Sequence, residues 1–423
     1  MARPKRGEFE PRLAEHRQRL GLTQAQVAER LQALATEHGD GPLPTTAETV
    51  ARHERGKHFP TPVYRQQYVR LFGVAEEQLG LVLLSEPAHA SGVTQTHSQA
   101  ADSLESPLDI AERIQELTGT NVSEAGLDQL DAMIDLFVNE YEAAGPAALA
   151  PRVIRQRRKV GELLDGRQLP HQRERLFRTA GRLSGLLGYM AVNLGRFSVA
   201  KAYCTEAFQL AEVVHDTDLQ AWTRGTESLS AYYANDFREA ARLAQDGQRY
   251  ARGGPQAVRL AANGEARALA RLGDYNGVNE AVERAYRTAS RFDPVPGVSS
   301  CISFGLYSNA RTASNAATAY VALGRPDQVT EYANEALPVF EASESRWSQS
   351  LVRIDIATAL VVADCPEPEQ AGRLVTEALM LSAERPITSV LSRSREFLQT
   401  ADKWALLPEM QQAVEALRTA EHR

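Results

Sequence analysis

From Pro107 to the C-terminus, apolar residues recur at three- and four-residue spacing, and no segment alternates as a strand would. Gly195, Asn235, Gly273, Gly324 and Pro366 fall between the periodic stretches, which predicts helices separated by short turns, with Gly and Pro kept out of their interiors. Residues 1–84 show the same period in shorter pieces. Between the two parts, SEPAHASGVTQTHSQAADSLES (Ser85–Ser106) has no apolar period and reads as a flexible linker. The pattern therefore predicts an all-α chain with a head at 1–84, a linker at 85–106 and a long helical array at 107–423.

The array repeats itself. LGRFSVAKAYCTEAFQLA, ANDFREAARLAQDGQRYA, LGDYNGVNEAVERAYRTA and LGRPDQVTEYANEALPVF share one plan. A turn residue (Gly195, Asn235, Gly273 or Gly324) is followed two positions later by Phe197, Phe237, Tyr275 or Pro326. Next comes a small or β-branched residue, Ala200, Ala240, Val278 or Val329, and after it Ala207, Gly247, Ala285 or Ala336. A weaker fifth copy runs through Ala371 and Ala378. Paired antiparallel helices pack closely where small residues let their backbones approach, and one pair cannot bury its apolar face alone, so units must stack. This plan resembles the tetratricopeptide repeat, whose first-helix small residue is matched by Gly188, Ser228, Ala266 and Ala317. The chain departs from that family in its wider repeat spacing. The family's large first-helix aromatic is also replaced by Ala191, Ala231 and Leu269, and only Tyr320 keeps it. An unrelated α-solenoid or bundle is the alternative.

In the head, Arg12–Leu20 forms a first basic amphipathic helix ended by Gly21-Leu22. Thr23-Gln24-Ala25-Gln26 is a capping box that opens a second helix, Gln24 to about Leu34. Thr45-Thr46-Ala47-Glu48 opens a third that stops at Gly56, and a fourth follows Pro60 and Pro62. The strings RLGLTQAQVAERL, VARHERGKHFPTP and YVRLFGV resemble the Cro/repressor-like (XRE-type) helix-turn-helix family. The resemblance implies that Gln24 contacts phosphate and braces a reading helix. It also implies that Glu54 is a scaffold residue partnered by Arg19 or Arg30, and that base-reading positions fall on Ala47, Glu48 and Arg52, with His58 just beyond. Arg17 is expected on phosphate. The stretch QALATEHGDGPLP (Gln32–Pro44) is longer than the family's turn, so the second helix is extended or a loop is inserted. Glu48 has two readings: acceptor from a cytosine amino group, or capping partner of Thr45, the latter favoured. Arg52 either reads DNA, the preferred role, or pairs with Glu48. His53 is expected to pack. The whole layout resembles actinobacterial regulators that fuse such a head to tetratricopeptide repeats.

Charge changes the picture only when divided. The chain carries −7 overall, yet basic residues outnumber acidic ones through Phe72. A basic head on an acidic body suits a DNA reader whose other domain avoids DNA. The run Arg152, Arg155, Arg157, Arg158, Lys159 is expected as a solvated helix face. Cys204, Cys301 and Cys365 are scattered, as reduced thiols in the cytoplasm would be. No apolar run reaches the roughly 18 residues of a membrane span. No metal motif, phosphate loop or nucleophile elbow is found, so no cofactor, metal or catalytic site is expected.

These readings converge on an all-α fold: an N-terminal helix-turn-helix bundle plus a C-terminal tetratricopeptide-like α-solenoid. The expected function is sequence-specific transcription regulation by a cytoplasmic homodimer bound to a double-stranded DNA operator. The alternative is a tetratricopeptide protein–protein adaptor. In tetratricopeptide proteins the first helix of each repeat lines the concave face. Counting from the turns places Tyr189, Asn193, Trp222, Tyr232, Asn263, Arg267, Arg271, Arg311 and Asn315 there, a mixture suited to a signalling peptide or small-molecule effector. The bland alternative is that several of them only bridge neighbouring repeats.

Overall fold

A computed structural model describes residues 11–38, 40, 43–81 and 107–422. The described residues form helices and connecting turns, with no strand among them. The chain divides into two compact units, Met1–Leu104 and Glu105–Arg423. The linker expected at Ser85–Ser106 lies outside the described residues. No described helix is long and apolar enough to cross a membrane.

The first unit holds α1 (Leu13–Arg19), α2 (Gln24–Glu37), α3 (Ala47–Glu54) and α4 (Pro62–Phe72). Their apolar faces meet in a core of Leu13, Leu22, Val27, Leu31, Val50 and Tyr68, closed from the following turn by Leu79 and Leu81. The capping box forms as read: Thr23 Oγ1 accepts from the Gln26 amide, and the Gln26 side chain accepts from the Thr23 amide at 2.9 Å. The extra residues between α2 and α3 are divided between a longer helix, which continues past Leu34 to Glu37, and a longer connection. One capping assignment is corrected. Thr46, not Thr45, caps α3, and its hydroxyl accepts from the Thr49 amide. Thr45 is buried, with its hydroxyl turned to the Leu43 carbonyl, so Glu48 has no capping role and is free to pair with Arg52.

The second unit opens with α5 (Pro107–Thr118), α6 (Glu124–Ala144) and α7 (Pro146–Leu164). It continues as an α-solenoid of antiparallel hairpins: α8 (Pro170–Asn193) with α9 (Phe197–Val213), and α10 (Thr217–Tyr233) with α11 (Phe237–Ala251). The next first helix runs as α12 (Pro255–Arg259), a π-helical segment Leu260–Ala266 and α13 (Arg267–Arg271), and pairs with α14 (Tyr275–Ala289). Then come α15 (Asn309–Ala322) with α16 (Pro326–Glu341), α17 (Arg346–Val362) with α18 (Pro368–Ser382), and α19 (Thr388–Thr400) with α20 (Pro408–Glu421).

The repeated residues explain the hairpins. Gly195, Asn235, Gly273 and Gly324 all take left-handed φ, which turns the chain between the two helices. Phe197, Phe237, Tyr275 and Pro326 each begin the second helix. Ala200, Ala240, Val278 and Val329 are fully buried, as are Ala207, Ala285 and Ala336 one face-repeat later. On the first helices, Gly188 lies so close to α9 that a Cβ there would stand 2.8 Å from Cys204 Sγ. Ser228 donates to the Ala240 carbonyl at 2.8 Å across the same kind of contact.

Two expectations fail. Pro151 and Pro338 sit inside α7 and α16. Each forfeits a main-chain hydrogen bond, but buried neighbours hold the helix in place: Leu149 and Val153 around the first, Ala336 and Phe340 around the second. The array is also not helical throughout, because an irregular strap, residues 290–308, separates α14 from α15.

Candidate functional site

The exposed face of α3 is braced from beneath. Glu54, at the helix end, accepts from Arg17 Nε at 2.5 Å, from Arg17 Nη2 at 3.1 Å and from Gln24 Nε2 at 2.7 Å. Arg17 also donates to the Leu22 carbonyl. The partner of Glu54 is therefore Arg17 rather than Arg19 or Arg30, and Arg17 is largely committed to the scaffold instead of being displayed for phosphate. Its guanidinium is held above its ordinary pKa, chiefly by the Glu54 hydrogen bond. Gln24 braces α3 from the start of α2. His53 packs as expected: it is buried, edge-on to Tyr64 and Tyr68, with Nδ1 3.1 Å from the Tyr68 hydroxyl. Burial, followed by repulsion from His58, pushes its pKa down to about 4.

Above this scaffold, Ala47, Glu48, Arg52 and His58 are exposed, as are Arg55 and Lys57. Glu48 accepts from Arg52 at 3.1 Å and lies 3.4 Å from Arg55, and these cations hold its carboxyl below the usual range, Arg52 most strongly. The ion pairs are open to water and weak, so either arginine can exchange Glu48 for another anion at little cost.

In the second unit, six of the nine array residues singled out from sequence, Tyr189, Asn193, Asn263, Arg267, Arg311 and Asn315, line one partly open cavity of about 70 Å³. Its walls come from the first helices of successive hairpins (α8, α10, α13, α15, α17 and α19), with Asn263 on the π-helical segment. Asn193 donates to Tyr141 Oη at 2.6 Å. Asn263 and Asn315 both donate to the Tyr307 hydroxyl, at 3.3 and 2.7 Å. Arg311 donates to Glu142 at 2.6 Å, to Ser348 Oγ and to the Ser299 carbonyl. Arg267 reaches only neutral groups, Asn263 Oδ1 at 3.1 Å and Tyr233 Oη at 3.0 Å, and its guanidinium lies 4.3 Å from the centre of the Tyr232 ring.

The other three fall outside the cavity. Tyr232 and Arg271 line a separate groove of about 450 Å³, where Arg271 pairs with Glu396 at 2.9 Å. Trp222 is buried behind Tyr189. Its indole N–H donates to the Ser303 carbonyl at 2.9 Å, and Arg259 lies 4.8 Å from the centre of its ring.

The strap forms part of the cavity wall. Cys301 and Tyr307 line it, while Gln256 donates to the Phe304 carbonyl at 2.8 Å and Ser300 to the Val138 carbonyl. Sequence reasoning missed the strap, which carries no repeat signal. It also missed Glu142, Tyr233, Arg393 and the nearby Arg259. Arg259 could have been found, because Arg259, Asn263, Arg267 and Arg271 stand four residues apart along one first helix. Arg393 pairs with the buried Asp355 at 3.0 Å on the wall shared with the groove.

The basic run on α7 is partly engaged within its unit: Arg152 pairs with Glu140, and Arg157 with Glu206. Cys204 and Cys301 are unbridged thiols, and burial pushes both upward in pKa. No protein-family model and no curated protein matches this chain.

Proposed function

We propose that this chain is a sequence-specific DNA-binding transcription regulator of the XRE type. In this reading its tetratricopeptide-like array mediates dimerisation and binds an effector. The observation that carries the proposal is the braced α3. Arg17 and Gln24 clamp Glu54 from below and fix the helix, while Arg52 on it, Arg55 at its C-cap, and Lys57 and His58 just past it are exposed. A short braced helix with exposed basic residues on it and just past its end is what major-groove entry requires. Weak pairing to Glu48 keeps the arginines available for phosphate or for guanine O6 and N7. Homodimerisation follows from two-fold operator logic.

The test is an electrophoretic shift on the DNA upstream of the chain's own gene. Full-length protein should retard it at a sequence-defined site. Arg52→Ala should cost about 1–3 kcal/mol and relax preference at one base position. Removing residues 1–84 should abolish the shift. Binding undiminished by that removal, or no shift even at low salt, would overturn the reading in favour of an adaptor.

A further inference from the structure

The cavity has an unmatched charge. Among its lining residues Arg311 is matched by Glu142, and Arg393 by Asp355, which Thr318 also engages. Arg267 is 2% exposed and has no carboxylate within ion-pair distance among the described residues; it acts on Asp355, which Arg393 already pairs, only from farther off. Arg259, one helical turn before Asn263, is 4% exposed and likewise meets no carboxylate, only Thr226 and the faces of Tyr189 and Trp222. Arg267 Nε and Arg259 Nη1 are buried without any hydrogen-bond partner. A buried guanidinium without a carboxylate is costly to hold, so Arg267, the one of the two that lines the cavity, calls for an anion. The field of the arginines that line the cavity is visible on a neighbour. Burial alone would raise the Tyr233 phenol, yet Arg267 and Arg393 together hold it below its ordinary pKa.

Two further features mark the place as a built site. Asn263 stands on a π-helical segment, a distortion that interrupts the hydrogen-bond ladder and recurs at functional sites. Tyr307 comes from an ordered strap long enough to serve as a lid, and its oxygen accepts from two asparagines, which leaves its own proton to donate.

We propose that this cavity binds a small organic acid whose carboxylate pairs with Arg267, with Asn263 and Tyr307 completing its hydrogen bonds. The proposal rests on reading the array as a sensor, and it narrows the effector class. A volume of about 70 Å³ holds roughly five to seven water-sized spheres. That suits a molecule of a few heavy atoms better than an extended peptide. The lining also includes Leu229, Phe340 and Leu351, which favours an acid with a short apolar tail over inorganic phosphate.

The experiment follows the thermal midpoint of the full chain in acetate, butyrate and hexanoate, each beside its uncharged amide, and in inorganic phosphate. At least one acid should raise the midpoint saturably, by roughly 5 °C at about a hundredfold excess over Kd. Its amide and phosphate should not. Arg267→Gln, which keeps a polar side chain but removes the cation, should still melt cooperatively while losing the acid response. Asn263→Ala, which leaves the arginine in place, should weaken the response at least tenfold in Kd. No response to any acid, an equal response to amide or phosphate, or full response in both variants would overturn the proposal. Stabilisation by an acid without any change in operator affinity would leave the site standing and refute instead the coupling of array to DNA.

Discussion

Arg17 and Glu54, 37 residues apart, meet as a two-point ion pair beneath the third helix, with the Gln24 amide on the same carboxylate. Arg17 is largely enclosed, so its removal leaves Glu54 part-buried with one fewer cation. Arg17→Ala should destabilise the head by about 1–3 kcal/mol. In the full chain, amides of α1 and α3 should exchange faster by the corresponding factor while those of α8 and α17 stay unchanged. If DNA is bound, the salt slope should be nearly that of wild type, since a scaffold arginine releases no counterion. A slope shallower by about one unit, with unchanged exchange, would return Arg17 to the phosphate.

His53 gives the head a pH dependence. Its folded pKa, about 4, lies below the ordinary 6.5. Between these values the unfolded chain binds a proton that the folded chain refuses. The stability contributed by neutral His53 is therefore complete above about pH 6.5 and is lost as pH falls toward 4. The loss is on the order of 2–3 kcal/mol. Exchange rates in α3 and α4, measured from pH 7 to 4 and corrected for intrinsic chemistry, should show this decline. His53→Asn should flatten it; an unchanged profile in that variant would assign the effect elsewhere.

The array's hairpins were legible because their physical requirements repeat. A left-handed turn residue and a small buried residue recur at Gly195/Ala200 and again at Gly324/Val329, and four copies of one error are improbable. The cavity was legible for the same reason on α8, α13 and α15, where counting from the turn locates the inner face. It failed where periodicity ends. The strap residue Tyr307 obeys no repeat, and Glu142 meets Arg311 across 169 positions through packing that no local pattern encodes. In the head, Thr45 and Thr46 are equivalent caps by composition. Tertiary burial of Thr45 decides between them, and with it the role of Glu48.

Gly264 should resist substitution despite lying within a helix. Replacing glycine by alanine there would ordinarily gain about 1 kcal/mol of helix propensity. Here the new Cβ would stand 2.7 Å from Ala244 Cβ and 3.2 Å from Ser228 Oγ. Ala244 has no rotamer through which to yield, so α11 itself must move, and overpacking of this kind costs about 1–3 kcal/mol. The clash outweighs the propensity. Gly264→Ala should lower the thermal midpoint of the array, whereas a rise would show the interface to be looser than its geometry.

The strap should be releasable from its Trp222 anchor. Trp222 is 1% exposed, donates to the Ser303 carbonyl and lies with its ring centre 4.7 Å from that of Phe304. Trp222→Phe deletes the donor and part of the stacking surface but keeps an aromatic ring beneath Arg259. The lost hydrogen bond is worth about 1 kcal/mol and the lost packing a similar amount. That sum is small for the array as a whole yet large for a strap held by a few side-chain contacts. Gln256, whose amide holds the Phe304 carbonyl, supplies an independent second anchor. Amides of residues 299–307 should therefore exchange about tenfold faster in Trp222→Phe, and faster again in the double variant with Gln256→Ala, while α15 and α17 remain protected. Uniformly faster exchange throughout the array would instead make Trp222 a core residue with no particular hold on the strap.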